Sequence, residues 1–208
     1  MNVSSFTHFI AALLSIAGLS VLVTLAAIKG TATHVVSFSI FGGALILLYL
    51  TSTLYHFIPH DHPRKDFFQI MDHSMIYVLI AGTYTPLALI VLEPVWGWSI
   101  FGVIWGLALT GIAAKSFRLR VPGWVSTCFY LLMGWLIVVA FVPLRNALPS
   151  GGIFWLVLGG LFYTVGTIFF ALKENLPRER WYTYHDIFHI CIMLGSVSHF
   201  WFMLRFVL

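Results

Sequence analysis

VSFSIFGGALILLYLTSTLYHFI, residues 36–58, carries no Asp, Glu, Lys or Arg. A hydrocarbon layer of about 30 Å needs roughly 20 apolar residues to cross it as helix, and this run is long enough. Composition says the same of the rest of the chain. Of 208 residues, 60% are hydrophobic and 9% charged, and the mean hydropathy is +0.96. A soluble domain could not hydrate such a surface.

Working outward from 36–58, six further apolar stretches appear, at roughly 6–28, 67–91, 96–114, 121–143, 152–172 and 184–207, each near the ~20 residues of a membrane span. The first is too long for the h-region of a signal peptide and no basic segment precedes it, so a retained helix is expected. The connections are short, and no repeat, low-complexity tract or linker divides the chain. The expectation is an all-α integral membrane protein: one seven-helix transmembrane domain over residues 1–208, multi-pass in the cell inner (cytoplasmic) membrane rather than among outer-membrane barrels.

The eleven Lys and Arg residues set the orientation. With the N-terminus in the cytoplasm, Arg64, Lys65, Lys115, Arg118, Arg120, Lys173, Arg178 and Arg180 lie inside, and Lys29, Arg145 and Arg205 lie outside. The positive-inside rule therefore predicts a cytoplasmic N-terminus and an outer C-terminus. The net charge of +4 follows from this asymmetry; its simplest partner is the anionic inner leaflet of the bilayer, not nucleic acid.

Several residues punctuate the spans. Pro122 fits the first turn of the fifth, and Pro86 is expected to kink the third. Gly102 and Gly106 form a GxxxG motif, for which close packing within the bundle is expected in preference to a dimer face. Cys128 and Cys191 lie in apolar stretches and read as buried free thiols.

Polar groups are costly in such a chain, so the few present are informative. Ser52 and His56 lie one turn apart at the inner end of the second span. Asp72 falls in the first turns of the third, and His185 and His189 in the first turns of the seventh. The topology, assigned without reference to these five residues, sets them at similar depth near the inner leaflet. His185 and His189, at i and i+4, project from one helical face and can grip one ion, with His56 completing a three-imidazole set. Such an ion lowers the pKa of a bound water to about 7 and turns it into a nucleophile. Asp72 is then placed to orient that water and take its proton, and Ser52 to hydrogen-bond water, ligand or a substrate carbonyl.

The plainer reading has the histidines bridging helices by hydrogen bonds, Asp72 capping a helix, and Ser52 bonding its own backbone. Cobalt, iron or nickel would suit three imidazoles nearly as well as zinc. Of the other histidines, His199 lies roughly 21 Å along the axis from His185 at 1.5 Å per residue, too far to share an ion; an interhelical bond or a place lining a cavity is expected for it. His60 and His62 read as solvated loop residues and His73 as a brace. His8 and His34 belong to helix ends without assigned function.

STLYH at 52–56, MDHSMIY followed by AGTYTP at 71–86, and HDIFH at 185–189 resemble the hemolysin III branch of the progestin and adipoQ receptor (PAQR) family, and the likeness extends over all seven spans. The short loops and the lack of a long N-terminal extension resemble its bacterial type. The resemblance implies a cytoplasmic N-terminus and a Zn2+ ion near the cytoplasmic face, held by His56, His185 and His189, with Asp72 contacting the zinc-bound water and Ser52 nearby. A more distant similarity to the alkaline ceramidases implies hydrolysis of an N-acyl, ceramide-like lipid amide, with a membrane lipid or acyl chain as substrate. Since one fold hosts many functions, two alternatives stand beside it: a non-catalytic, zinc-stapled sensor or regulator of membrane lipid or metal homeostasis, and, ranked last, a cytolysin.

Overall fold

The structure is a computed structural model describing residues 3–119, 122–172 and 183–208. Seven long apolar helices dominate it: α1 Val3–Lys29, α2 Ala32–Phe57, α3 Lys65–Val91, α4 Pro94–Ser116, α5 Gly123–Ala147, α6 Ser150–Leu172 and α7 Tyr184–Val207. No strand occurs among the described residues. The seven stretches read from hydropathy match these helices to within four residues at either end. Among the basic residues used for orientation, Arg120, Lys173, Arg178 and Arg180 lie outside the described residues.

Burial is inverted relative to a soluble bundle. Ile28, Leu132, Val142 and Val95 are 67–81% exposed, whereas Ser37, Thr51, Ser52, Thr85, Asp72 and His189 are buried. An apolar exterior around a partly polar interior is stable where hydrocarbon is the solvent. The chain is thus a multi-pass membrane protein.

The closest pairings are α1 with α2, α6 with α7 and α2 with α3, and α1 closes on α7. Glycines make the α6–α7 seam. Gly152, Gly159 and Gly166, one per seven residues, are the buried positions of α6. An added Cβ at Gly159 would run into the His199 ring, and one at Gly166 would lie 2.9 Å from the Cβ of Cys191. In return, a Cβ on Gly195 of α7 would stand 2.5 Å from the Tyr163 ring. Small residues that let backbones approach are how helices associate where no hydrophobic effect drives them together. Gly102 and Gly106 behave differently from expectation: a Cβ at either meets nothing within 4 Å. That GxxxG face meets no partner among the described residues, because α4 turns it outward.

Two helices depart from regular α geometry. Pro86 of α3 has no N–H for the carbonyl of Gly82. The helix then widens into a π turn over Leu87–Val91, closed by Leu92 N–H donating to Leu87 O at 3.2 Å. In α5 the helix tightens to 3₁₀ over Leu136–Ala140, in the turn preceding Pro143. The Tyr84 hydroxyl fills this break, donating to Gly134 O at 2.8 Å and accepting from Ile137 N–H at 2.9 Å. Pro122 is the N-cap of α5 rather than part of its first turn. Both cysteines are free; Cys191 is buried as expected, but Cys128 is exposed.

Candidate metal centre

The candidate centre lies where the start of α7 meets the end of α2. Thr183 and Asp186 cap α7 reciprocally: Asp186 N–H donates to Thr183 Oγ1 at 3.3 Å and Thr183 N–H to Asp186 Oδ2 at 2.7 Å. Ser4 of α1 donates to Asp186 Oδ1 at 2.5 Å. This network starts α7 ahead of His185 and fixes its rotation, because Asp186 sits between the two histidines and is tied to α1.

The end of α2 is held by α3. Lys65 Nζ donates to two carbonyls there, Tyr55 O at 2.5 Å and Ile58 O at 2.8 Å, which stabilises a helix C-terminus through its unpaired carbonyls and its dipole. His56 rides on this last turn.

Three imidazoles consequently converge. His56, His185 and His189 each offer a ring nitrogen, and these nitrogens all lie within 4.8 Å of one another. His56 Nε2 and His185 Nε2 are 2.9 Å apart. Their ring centroids are separated by 4.7 Å, and His189 lies 4.5 Å from His185 and 4.9 Å from His56. A tetrahedral ion with 2.0–2.1 Å bonds sets its nitrogen ligands about 3.3 Å apart. Small torsional adjustments bring the three nitrogens to that spacing, so the donor set fits a divalent cation. The same 2.9 Å contact also suits a hydrogen bond between two neutral imidazoles.

A sequence profile of the haemolysin-III related family matches residues 2–200. The chain belongs to that family. It is 45% identical to Hemolysin-3 of Bacillus cereus over 99% of this chain and 90% of that protein. It is likewise 45% identical to the Hemolysin-3 homolog of Bacillus subtilis, over 95% of this chain and 89% of the relative. A weaker similarity, 27% identity over 78% of this chain and 66% of the relative, links it to the human monocyte to macrophage differentiation factor, of the PAQR family.

The remaining expected residues of this haemolysin III chain take separate places. Ser52 is buried on α2, one turn before His56. Asp72 is buried on α3 and is not one of the groups whose ligand atoms cluster with the imidazoles; Lys65, Tyr55 and Tyr130 are among the groups that feel its charge. His199 is buried deeper on α7, where Nε2 meets Leu156 O at 3.3 Å, and it lines a cavity. His73 packs its ring 6.0 Å from Phe170. His34 caps α2, its Nδ1 accepting from Thr31 N–H at 3.3 Å. His60 and His62 are exposed.

That cavity, about 160 Å³, lies among α3, α5, α6 and α7. Its walls are mostly apolar side chains such as Leu79, Leu131 and Ile192, with polar groups that include Thr83, Tyr130, Tyr163, Thr167 and His199. Phe170 and Phe188 line it and also pack against His185, at centroid distances of 6.2 and 5.7 Å. These two rings are where the cavity adjoins the histidine cluster.

Sequence reasoning missed Ser4, His8, Lys65 and Asp186. Two signals were available. Ser4, Ser5 and His8 share an early turn of an otherwise apolar stretch, and Thr183-x-x-Asp186 has the capping-box spacing ahead of an apolar run.

Proposed function

We propose that this chain is a zinc-dependent hydrolase acting within the inner membrane on the amide of an N-acyl, ceramide-like lipid, with its N-terminus and its metal centre on the cytoplasmic side. The observation that carries this reading is the convergence of three imidazoles from α2 and α7 beside an apolar cavity. A three-nitrogen set leaves a coordination position free for chemistry, as catalytic zinc sites do.

When bound there, a divalent ion supplies Lewis acidity toward an acyl carbonyl and acidifies water. The protein's own groups do the rest. His56, His185 and His189 hold the ion. Asp72, from the facing helix, takes the proton of the attacking water and returns it to the leaving amine. Ser52 donates a hydrogen bond to the substrate carbonyl. The cavity among α3, α5, α6 and α7 takes the acyl chain, and the Phe170 and Phe188 rings turn aside to connect it with the centre.

The test uses purified protein in detergent or bilayer discs. Zinc should be found at about one per chain, and Asp72→Asn should retain that metal while abolishing cleavage of an N-acyl lipid. Retained metal without turnover on any N-acyl lipid, in the unmodified protein as well, would favour the second reading, a metal staple joining α2 to α7 in a sensor or regulator. The direct contact of His56 with His185 supports that alternative. Cytolysis, suggested by the relatives named Hemolysin-3, ranks last: a secreted pore former needs a water-soluble state, and the exposed apolar surface of these helices opposes one.

A further inference from the structure

His8 of α1 sits against the histidine cluster without being one of its three clustered groups. It is 2% exposed. Its ring lies face to face with that of His189, centroids 3.7 Å apart and planes within 10°. Tyr49 packs edge-on against the His8 ring, centroids 4.9 Å apart, but the Tyr49 hydroxyl donates to Ser196. Among the described residues neither nitrogen of His8 makes a hydrogen bond of ordinary geometry, and neither does Nδ1 of His189 beside it; the only polar partners they face are backbone groups, of His189 for His8 and of Ser4 for His189.

This placement is built, not incidental. Ser4, one turn earlier on α1, bonds Asp186 of α7, and Ser5 bonds Thr53 O of α2 at 3.3 Å. Both serines are buried. The first turns of α1 are therefore pinned to the two helices that carry the imidazoles. A somewhat larger phenylalanine at position 8 would keep the stack with no polar atom to desolvate. With one backbone group to face, at least one nitrogen of this buried imidazole is left without a protein partner, which is costly unless something else satisfies it.

We infer that His8 is a fourth functional imidazole of this centre, donating its ring N–H to an oxygen acceptor held in front of the other three, either water or the carboxyl or carbonyl oxygen of a lipid. The inference rests on the reading of His56, His185 and His189 as a metal site. His8 acts from the layer outside the ion: its stack sets the plane of the His189 ring, and its N–H fixes the oxygen. Outer partners of this kind typically change metal affinity by roughly 10–100-fold.

Full-length protein loaded with Co2+ tests it through the visible spectrum and a competition titration against a chelator, first alone and then with decanoate added. His8→Phe should keep one Co2+ per chain and an unfolding temperature no lower than that of the unmodified protein, yet weaken Co2+ binding roughly 10–100-fold and shift the visible band. His8→Gln, which retains an N–H donor, should restore much of both. A change already present without decanoate identifies water as the acceptor, and one appearing only with decanoate identifies the lipid oxygen. Should His8→Phe not fold, His8→Met, apolar and flexible, makes the same comparison. Identical affinity and spectrum in the apolar variant and the unmodified protein, with and without decanoate, overturn the inference while leaving the metal site standing. Failure of the unmodified protein to take up Co2+ overturns both.

Discussion

At the scale of single residues, the pair His185 and His189 was legible because a spacing of four in a helix settles a shared face whatever surrounds it. Asp186, between them, was legible only as the capping-box partner of Thr183. Its carboxylate accepts from Thr183 and from Ser4, residues separated by nearly the whole chain, and only contact between the first and last helices could reveal that. Asp186→Ala removes an N-cap partner and the acceptor of a buried hydroxyl. It should cost about 1–2 kcal/mol of stability, read as a lowered unfolding midpoint in detergent. It should also loosen metal retention, because the first turn of α7 carries His185. Ser4→Ala should reproduce only part of the loss, since the bonds to Thr183 survive.

At the scale of elements, each helix could be located from hydropathy alone, but its irregularities depended on neighbours. Pro86 signals a disturbance in α3; that the disturbance becomes a π turn is a property of the packed helix. The break in α5 depends on Tyr84 of another helix, whose hydroxyl meets two backbone groups there, Gly134 O and Ile137 N–H. Tyr84→Phe should leave a part-buried N–H and C=O unmatched, at a cost of about 1–3 kcal/mol. Hydrogen exchange should show the effect concentrated at Ile137 and its neighbours rather than spread over the bundle. Protection at Ile137 equal to that of the unmodified protein would contradict this account of the break. The glycines show the same dependence. Gly102 and Gly106 have the familiar motif and stay open, whereas Gly152, Gly159 and Gly166, spaced by seven, form the seam with α7. A motif states that close approach is possible; rotation about the helix axis decides whether a partner is there.

At the scale of the whole molecule, the inverted distribution of apolar and polar residues commits the chain to the bilayer, with seven helices among the described residues long and apolar enough to cross it. The bias of Lys and Arg predicts which side is which. Reporter fusions should place the N-terminus in the cytoplasm and the C-terminus outside, and single cysteines introduced at His60 or Phe117 should label only from the cytoplasmic side. Labelling of those positions in intact cells by an impermeant reagent would reverse the topology and move the histidine cluster to the outer leaflet.

Span number, span position and the shared depth of His56, His185 and His189 could be read from the chain, because partition into hydrocarbon sums over local residues and depth follows from counting along a helix. Which side chains meet at that depth could not be read this way. Packing turned His8 into contact with His189, tied Ser4 to Asp186, left Asp72 outside the three clustered imidazoles and opened a cavity behind Phe170 and Phe188. Rotation about each helix axis is set by interlocking between distant segments, and hydropathy along one segment holds no record of it.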